Sequence, residues 1–191
     1  MATKPALQRW TYAEYARLPD DGNRYEVIAG ELYVSPSPNP MHQKALIRLS
    51  TALEQFTQEH GLGEMYPGPI DVLLSGADYL VPDLVFVRAD RAEVITRRGI
   101  EAAPDLVIEA ISPSTALRDR GLKRERYAHS GVPLYWVVDV ELRHIEVYRL
   151  LQEPDGPAEI IRDALVWQPV PGGPSLTISV PFIVGTVSRR T

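Results

Sequence analysis

Carboxylates inside apolar runs are the residues of this chain best placed to do chemistry. Between Val81 and Thr115 lie two such runs, V-P-D-L-V-F-V and P-D-L-V-I-E-A-I-S-P-S-T, each with a Pro-Asp at its start. Short runs rich in Val, Ile and Leu read as buried strands. A carboxylate within one is costly unless positive charge meets it, so Asp83, Asp105 and Glu109 need partners. One answer is a divalent metal held by two strand-borne acids. The other is that Asp83 and Asp105 cap backbone at strand starts while Glu109 pairs with an arginine.

The surrounding elements must position these acids. Thr11 to Glu14 carries a capping-box pattern and predicts a short helix ending before Pro19. Arg24 to Ile28 and Glu31 to Val34 read as a hairpin with Ala29-Gly30 at its tip. Glu31 reads as a solvent-facing strand position, whereas Glu26, among Tyr25, Val27 and Ile28, calls for a partner. After the rigid connector Ser35 to Pro40, Asn39 and Pro40 open a helix that runs to about Glu59 and is closed by Gly61. Its apolar stripe is Leu46, Leu49, Leu53 and Phe56. His42 extends that stripe by one turn, either as a core histidine bonded to backbone or as a site residue.

Further along, Glu64 to Tyr66 and Gly68 to Leu74 read as a strand pair or a bent strand, with Asp71 at the start of the apolar part. Arg88 to Ala103 is charged and irregular. A helix is predicted from about Thr115 to Ser130, opened by Ser112 or Ser114 and closed by Gly131. Arg118, Arg120, Lys123, Arg124 and Arg126 make it locally basic, with Asp119 and Lys123 spaced for a surface ion pair. Pro133 to Asp139 and Arg143 to Arg149 read as strands, and Glu159 to Trp167 with Leu176 to Val180 as a last pair. This order predicts an α/β (mixed α+β) chain with one central sheet flanked by helices. We expect a single domain over 1–191, with its core at about 11–150 and C-terminal strands over 151–191.

Composition narrows the chemistry. The 191 residues include no cysteine, which excludes disulfides and thiolate metal sites. The four histidines show no H-E-x-x-H spacing, so any metal site is oxygen-rich and suits magnesium, calcium or manganese. A net charge of -5 argues against strong nonspecific binding to nucleic-acid phosphates, though not against a local or metal-mediated contact. No apolar run reaches the roughly 18 residues of a membrane helix, and Met1 to Trp10 lacks a signal-peptide core. The expectation is a soluble, cytoplasmic protein.

If the strands at 83–87 and 105–111 are neighbours, Asp83 and Glu109 converge, and the helix that follows can bring Lys123 near both. Two carboxylates, a lysine and an open face make a workable phosphodiesterase site. Several stretches carry a family likeness: Tyr25-Glu26, Gly30-Glu31-Leu32, His42, Asp71, Pro82-Asp83-Leu84, Pro104 to Glu109 followed by Ser112-Pro-Ser-Thr, Lys123, Tyr127, Gly131-Val132 and Tyr135 to Asp139. In that order and spacing the chain resembles the Uma-two family of restriction-endonuclease-like bacterial proteins, within the PD-(D/E)xK nuclease superfamily, over about Thr11 to Arg149.

The resemblance implies a restriction-endonuclease-like core and a magnesium-dependent DNA endonuclease, with manganese as a substitute. It implies Asp83, Glu109 and the backbone carbonyl of Ala110 as metal ligands. Glu26 resembles the extra acid such nucleases take from an early element, and His42 a site-lining residue. The superfamily lysine normally stands two residues after the second acid; here that position is Ile111, and Lys123 is the candidate replacement. DNA is the expected partner and a homodimer the expected assembly, since double-strand cleavage needs two sites. The competing readings are a non-catalytic module that binds nucleic acid or protein, and a hydrolase of another phosphate ester.

Overall fold

The computed structural model describes residues 9–35, 39–76 and 78–185. Pro36 to Pro38 of the proline-rich connector, Ala77, and the start of the chain, on which the signal-peptide reading falls, lie outside the described residues.

A short helix α1 (Tyr12–Tyr15) leads to strands β1 (Arg24–Ile28) and β2 (Glu31–Ser35), paired antiparallel with Ile28 opposite Glu31. The tip is Ala29-Gly30, with φ of 54° and 83°. Both residues are left-handed, the conformation that two-residue hairpins require. Helix α2 (Pro40–His60) follows. The Asn39 carboxamide accepts the His42 N–H at 2.9 Å, and Gly61, at φ 60°, ends the helix in the left-handed region.

Strands β3 (Gly63–Pro67), β4 (Val72–Leu74), β5 (Asp78–Leu80) and β6 (Leu84–Arg88) come next. After a 3₁₀ segment (Ala89–Val94), the small hairpin β7 (Ile95–Thr96) and β8 (Gly99–Ile100) precedes β9 (Leu106–Ile111). Helix α3 (Ala116–Arg118), a π-helical turn (Asp119–Lys123) and helix α4 (Arg124–His129) are consecutive. The chain continues with β10 (Leu134–Asp139), β11 (His144–Arg149), β12 (Glu159–Ile161), β13 (Ala164–Trp167), β14 (Leu176–Ser179) and α5 (Val180–Val184).

Instead of one central sheet there are two six-stranded sheets, ordered β2-β1-β5-β4-β8-β7 and β12-β11-β10-β9-β6-β3, plus the β13–β14 hairpin. The fold is mixed α+β. β3 and β4 are not the partners their adjacency suggests: β3 pairs with β6 in the second sheet and β4 with β5 in the first. β12 joins the second sheet beside β11, leaving β13 to pair with β14. No helix among the described residues is long and apolar enough to cross a membrane.

The second sheet is buried on both faces, which explains the unbroken apolar runs of β9 and β10. On one face Leu106, Ile108, Ala110, Trp136 and Val138 meet Ala45, Leu49, Leu53 and Phe56 of α2 together with residues of β13, β14 and α5. On the other, Val107, Ile111, Tyr135 and Val137 meet Ile28, Val72, Leu80 and Ile100 of the first sheet and Tyr127 of α4. The C-terminal elements are thus part of the first-face core. Trp167, 2% exposed, packs edge-on to Phe86 at 5.1 Å and to Trp136 at 6.0 Å. Trp167→Ala is expected to lower unfolding stability by about 3–5 kcal/mol, read by urea denaturation.

Candidate active site

Side chains alternate along β9, so Glu109 shares a face with Val107 and Ile111. β6 and β9 are antiparallel, with Leu84 opposite Ile108. Carrying that register one residue further sets Asp83 opposite Glu109. The Ala110 N–H donates to Asp83 Oδ2 at 2.9 Å, which locks the Asp83 side chain against β9. Asp105, the other Pro-Asp acid, does cap backbone: Oδ2 accepts the Arg88 N–H at 3.0 Å and Oδ1 the Arg91 guanidinium at 2.9 Å.

Every acid of the cluster has a cation. Asp83 Oδ1 accepts Arg24 Nη1 at 2.7 Å, and Oδ2 lies 3.1 Å from His42 Nε2. Lys123 Nζ sits 2.7 Å from Glu26 Oε1 and 2.8 Å from Glu109 Oε1, with Asp119 Oδ1 at 3.8 Å. The Tyr127 hydroxyl donates to Glu109 Oε1 at 3.0 Å. Glu26 also accepts the Val81 N–H at 2.9 Å and has Arg118 Nη2 at 3.6 Å. Lys123 is 2% exposed and Glu26 0%. The expected surface pair of Asp119 and Lys123 is therefore buried, because α3, the π-helical turn and α4 turn their cations inward.

The electrostatics follow from this crowding. Burial works to raise Asp83, but the His42 hydrogen bond and the Arg24 charge hold its carboxyl down, at about 2. Burial pushes Glu109 up to about 8; Lys123 pulls it down, while Asp83, Asp119 and Glu26 add to the rise. Burial also raises Asp119, against the pull of Lys123. For Lys123 burial opposes the charge, and Glu109, Glu26 and Asp119 outweigh it, so its pKa lies above the ordinary lysine value.

A cavity of about 150 Å³ opens onto this cluster, lined by Asp83, Glu109, Ala110, His42, Lys123 and Arg24 among others. Of the residues singled out from sequence, Glu26 is not in that lining; it holds Lys123 instead. At Ala110 the contact seen is the N–H to Asp83. The donors that face the cavity are carboxylate oxygens, the set that suits magnesium or manganese. Burial, with Asp83, Asp119 and Glu26 close by, leaves the Glu109 carboxylate short of positive charge, which a divalent ion would supply. The residues fit such an ion, and Asp83 and Glu109 are those that could hold it.

Arg24, Arg118 and the buried position of Asp119 were not read from sequence. Arg24 had one signal: it stands two residues before Glu26 on the same strand, hence on the same face. Among the described residues, the acid and histidine side chains that come close enough in a group of three to share one ion are Asp139, His144 and Glu146, away from this cavity. There Arg120 already donates to Asp139 at 2.7 Å and to Glu146 at 2.9 Å, which supplies the positive charge.

The chain matches the model of the Uma2 family, described as "Putative restriction endonuclease", over residues 12–181. It is also similar to a solved structure from Anabaena variabilis, described as a "putative nuclease belonging to DUF820". That likeness has a TM-score of 0.75 and covers 92% of this chain and 97% of that one at 20% identity, and at this identity it speaks for the fold. No curated protein matches the chain. With the family match spanning nearly all of the described residues, this chain belongs to the Uma2 family.

Proposed function

We propose that this protein is a divalent-metal-dependent endonuclease that hydrolyses phosphodiester bonds of DNA. One observation carries this reading. Asp83 and Glu109 stand opposite one another at the wall of a cavity that Lys123 also lines. Asp83 and Glu109 would hold magnesium or manganese, with the Ala110 carbonyl as a third ligand. When bound, such an ion polarises a phosphoryl oxygen and acidifies a water.

The chain's own groups do the rest. An ammonium has three protons to donate. Glu26 and Glu109 take two from Lys123, and Asp119 at 3.8 Å is too far to take the third. That third N–H is available to a phosphoryl oxygen in the cavity, where it stabilises charge as the transition state forms. Glu26 keeps the lysine charged and fixed. His42 and the Ala110 N–H orient Asp83.

A second reading has its own support: Arg24, His42 and the Ala110 N–H already satisfy Asp83, as they would in a purely structural cluster of a non-catalytic binding module. Incubation of the protein with plasmid and short duplexes decides between them. Cleavage should require magnesium or manganese, stop with chelator, and fall at least about 100-fold in Asp83→Asn and in Glu109→Gln. Cleavage persisting in both variants would trace to a contaminant and sink the nuclease reading.

Metal binding should also depend on pH. Glu109 must be ionised to ligate, and protons compete for it below about 8. Manganese affinity is therefore expected to rise between pH 6 and 8 and level off above. Titration calorimetry in buffers of different ionisation enthalpy should show close to one proton released near pH 7. An affinity that stays flat across this range would remove Glu109 from the ligand set.

A further inference from the structure

The cavity has an antechamber. A cleft of about 1040 Å³ runs from α1 and Tyr25 past one side of α2 to the β7–β8 tip. Three residues, Arg24, Ser35 and Asp83, line both spaces. A polymer lying in the cleft would therefore meet the acid cluster at Arg24.

The cleft is poorly equipped to hold a duplex. Proteins that grip double-stranded DNA by its phosphates typically make six to ten such contacts, or roughly that number. This cleft offers three arginines, Arg24, Arg97 and Arg98, faced by Asp20, Asp71 and Asp83. Arg24 is engaged by Asp83 at 2.7 Å, and Arg98 by Glu101 at 3.2 Å and by the Tyr12 ring at 4.2 Å. Among the described residues Arg97 has no acidic partner. The lining also includes the aromatic Tyr25, Pro69 and Ile70, and Ile47 of α2, which is 61% exposed. Pockets for small organic ligands run to about 1,000 Å³, so the cleft has room for a few nucleotides with their bases. Sites for single strands combine basic side chains along the backbone with aromatic faces on which the free bases stack, and Arg97, Arg98 and Tyr25 give this cleft some of each.

We propose that the cleft receives an unpaired nucleic-acid strand, its bases against the apolar wall, and that Arg24 takes the phosphate entering the acid cavity. This rests on the nuclease reading and narrows its substrate. A guanidinium has five N–H donors. Arg24 spends Nη1 on Asp83 and on the Val81 carbonyl at 3.1 Å, and its side chain is 22% exposed. The rest of its fork is free to receive two oxygens of one phosphate. Cutting one strand needs one site, so a second copy of the chain is not required.

The test is fluorescence anisotropy of the full chain in EDTA, where no cleavage intervenes, with four probes of one sequence: a single strand as DNA, the same as RNA, a blunt duplex, and a duplex with a single-stranded flap. The single strand or flap should bind at least about tenfold tighter than the blunt duplex, with a log–log salt slope of about −2. Arg24→Lys, which keeps the charge on Asp83 but not the fork, should weaken strand binding about tenfold at unchanged melting temperature. Arg97→Ala, on the exposed hairpin tip, should weaken it about threefold and make the salt slope shallower by about 0.7. A duplex bound as tightly as the strand, or a slope steeper than about −5, overturns the strand assignment and leaves the nuclease reading standing. Wild-type affinity in a folded Arg24→Lys protein overturns the role of Arg24. Absence of binding to every probe, together with absence of metal-dependent cleavage, overturns both.

Discussion

The rest of the site depends on one buried ammonium. Lys123 Nζ lies between Glu26 Oε1, on a strand of the first sheet, and Glu109 Oε1, on a strand of the second. Neither acid could be buried alone, and neither could the lysine. The three are tolerable only together, so the two sheets and the helical segment after β9 must meet within a narrow range of positions. The same logic repeats around them. Arg118 approaches Glu26, Arg120 joins Asp139 to Glu146, and Arg126 meets the buried Asp78. The basic stretch of an acidic chain is an internal set of counter-ions and leaves little positive surface behind.

Such an arrangement is a weak way to gain stability. Replacing buried ion pairs with apolar residues of similar size is often neutral or stabilising, and both faces of the second sheet already have large apolar cores. What the ion pairs give is a cavity wall on which Asp83, Glu109 and Asp119 stand among Arg24, Arg118 and Lys123. Asp83 is held ionised by His42 and Arg24 against its burial, whereas Glu109 is pushed the other way by burial and by its acidic neighbours. Two adjacent carboxylates with opposite displacements are a pattern found at reactive sites. Here the difference comes from partners: Asp83 has Arg24 and His42 to itself, and Glu109 shares its lysine with Glu26 and Asp119.

Much of this was legible in the sequence wherever the signal is local. The β1–β2 turn, the cap of α2, its apolar stripe and the Pro-Asp strands are all set by residues within a few positions of each other. Glu26 and Glu109 stood out because a carboxylate amid β-branched residues conflicts with its surroundings. The parts that were not legible depend on distant pairing. Nothing in Glu64 to Tyr66 tells that β3 pairs with β6 and not with β4. The i,i+4 spacing of Asp119 and Lys123 fits a surface pair as well as a buried one, and what decides is that Glu26 and Glu109 wait on the facing sheets. Arg24 has the same difficulty, since its partner is 59 residues away.

Ile111 stands where the resemblance places a lysine, and Lys123, proposed for that role, comes from another element. Ile111 shares the β9 face of Glu109 and is 7% exposed, packed in the apolar cluster with Val107 and Tyr127. A lysine there would extend along the strand and be fixed by β9 alone. Lys123 instead descends from the helical segment that covers the sheet, held by Glu26 and flanked by Tyr127, which donates to the same Glu109 oxygen. Its presence therefore depends on that segment staying docked. In this chain the acids belong to the rigid sheet and the lysine to a cover, so packing of the cover decides whether all three meet.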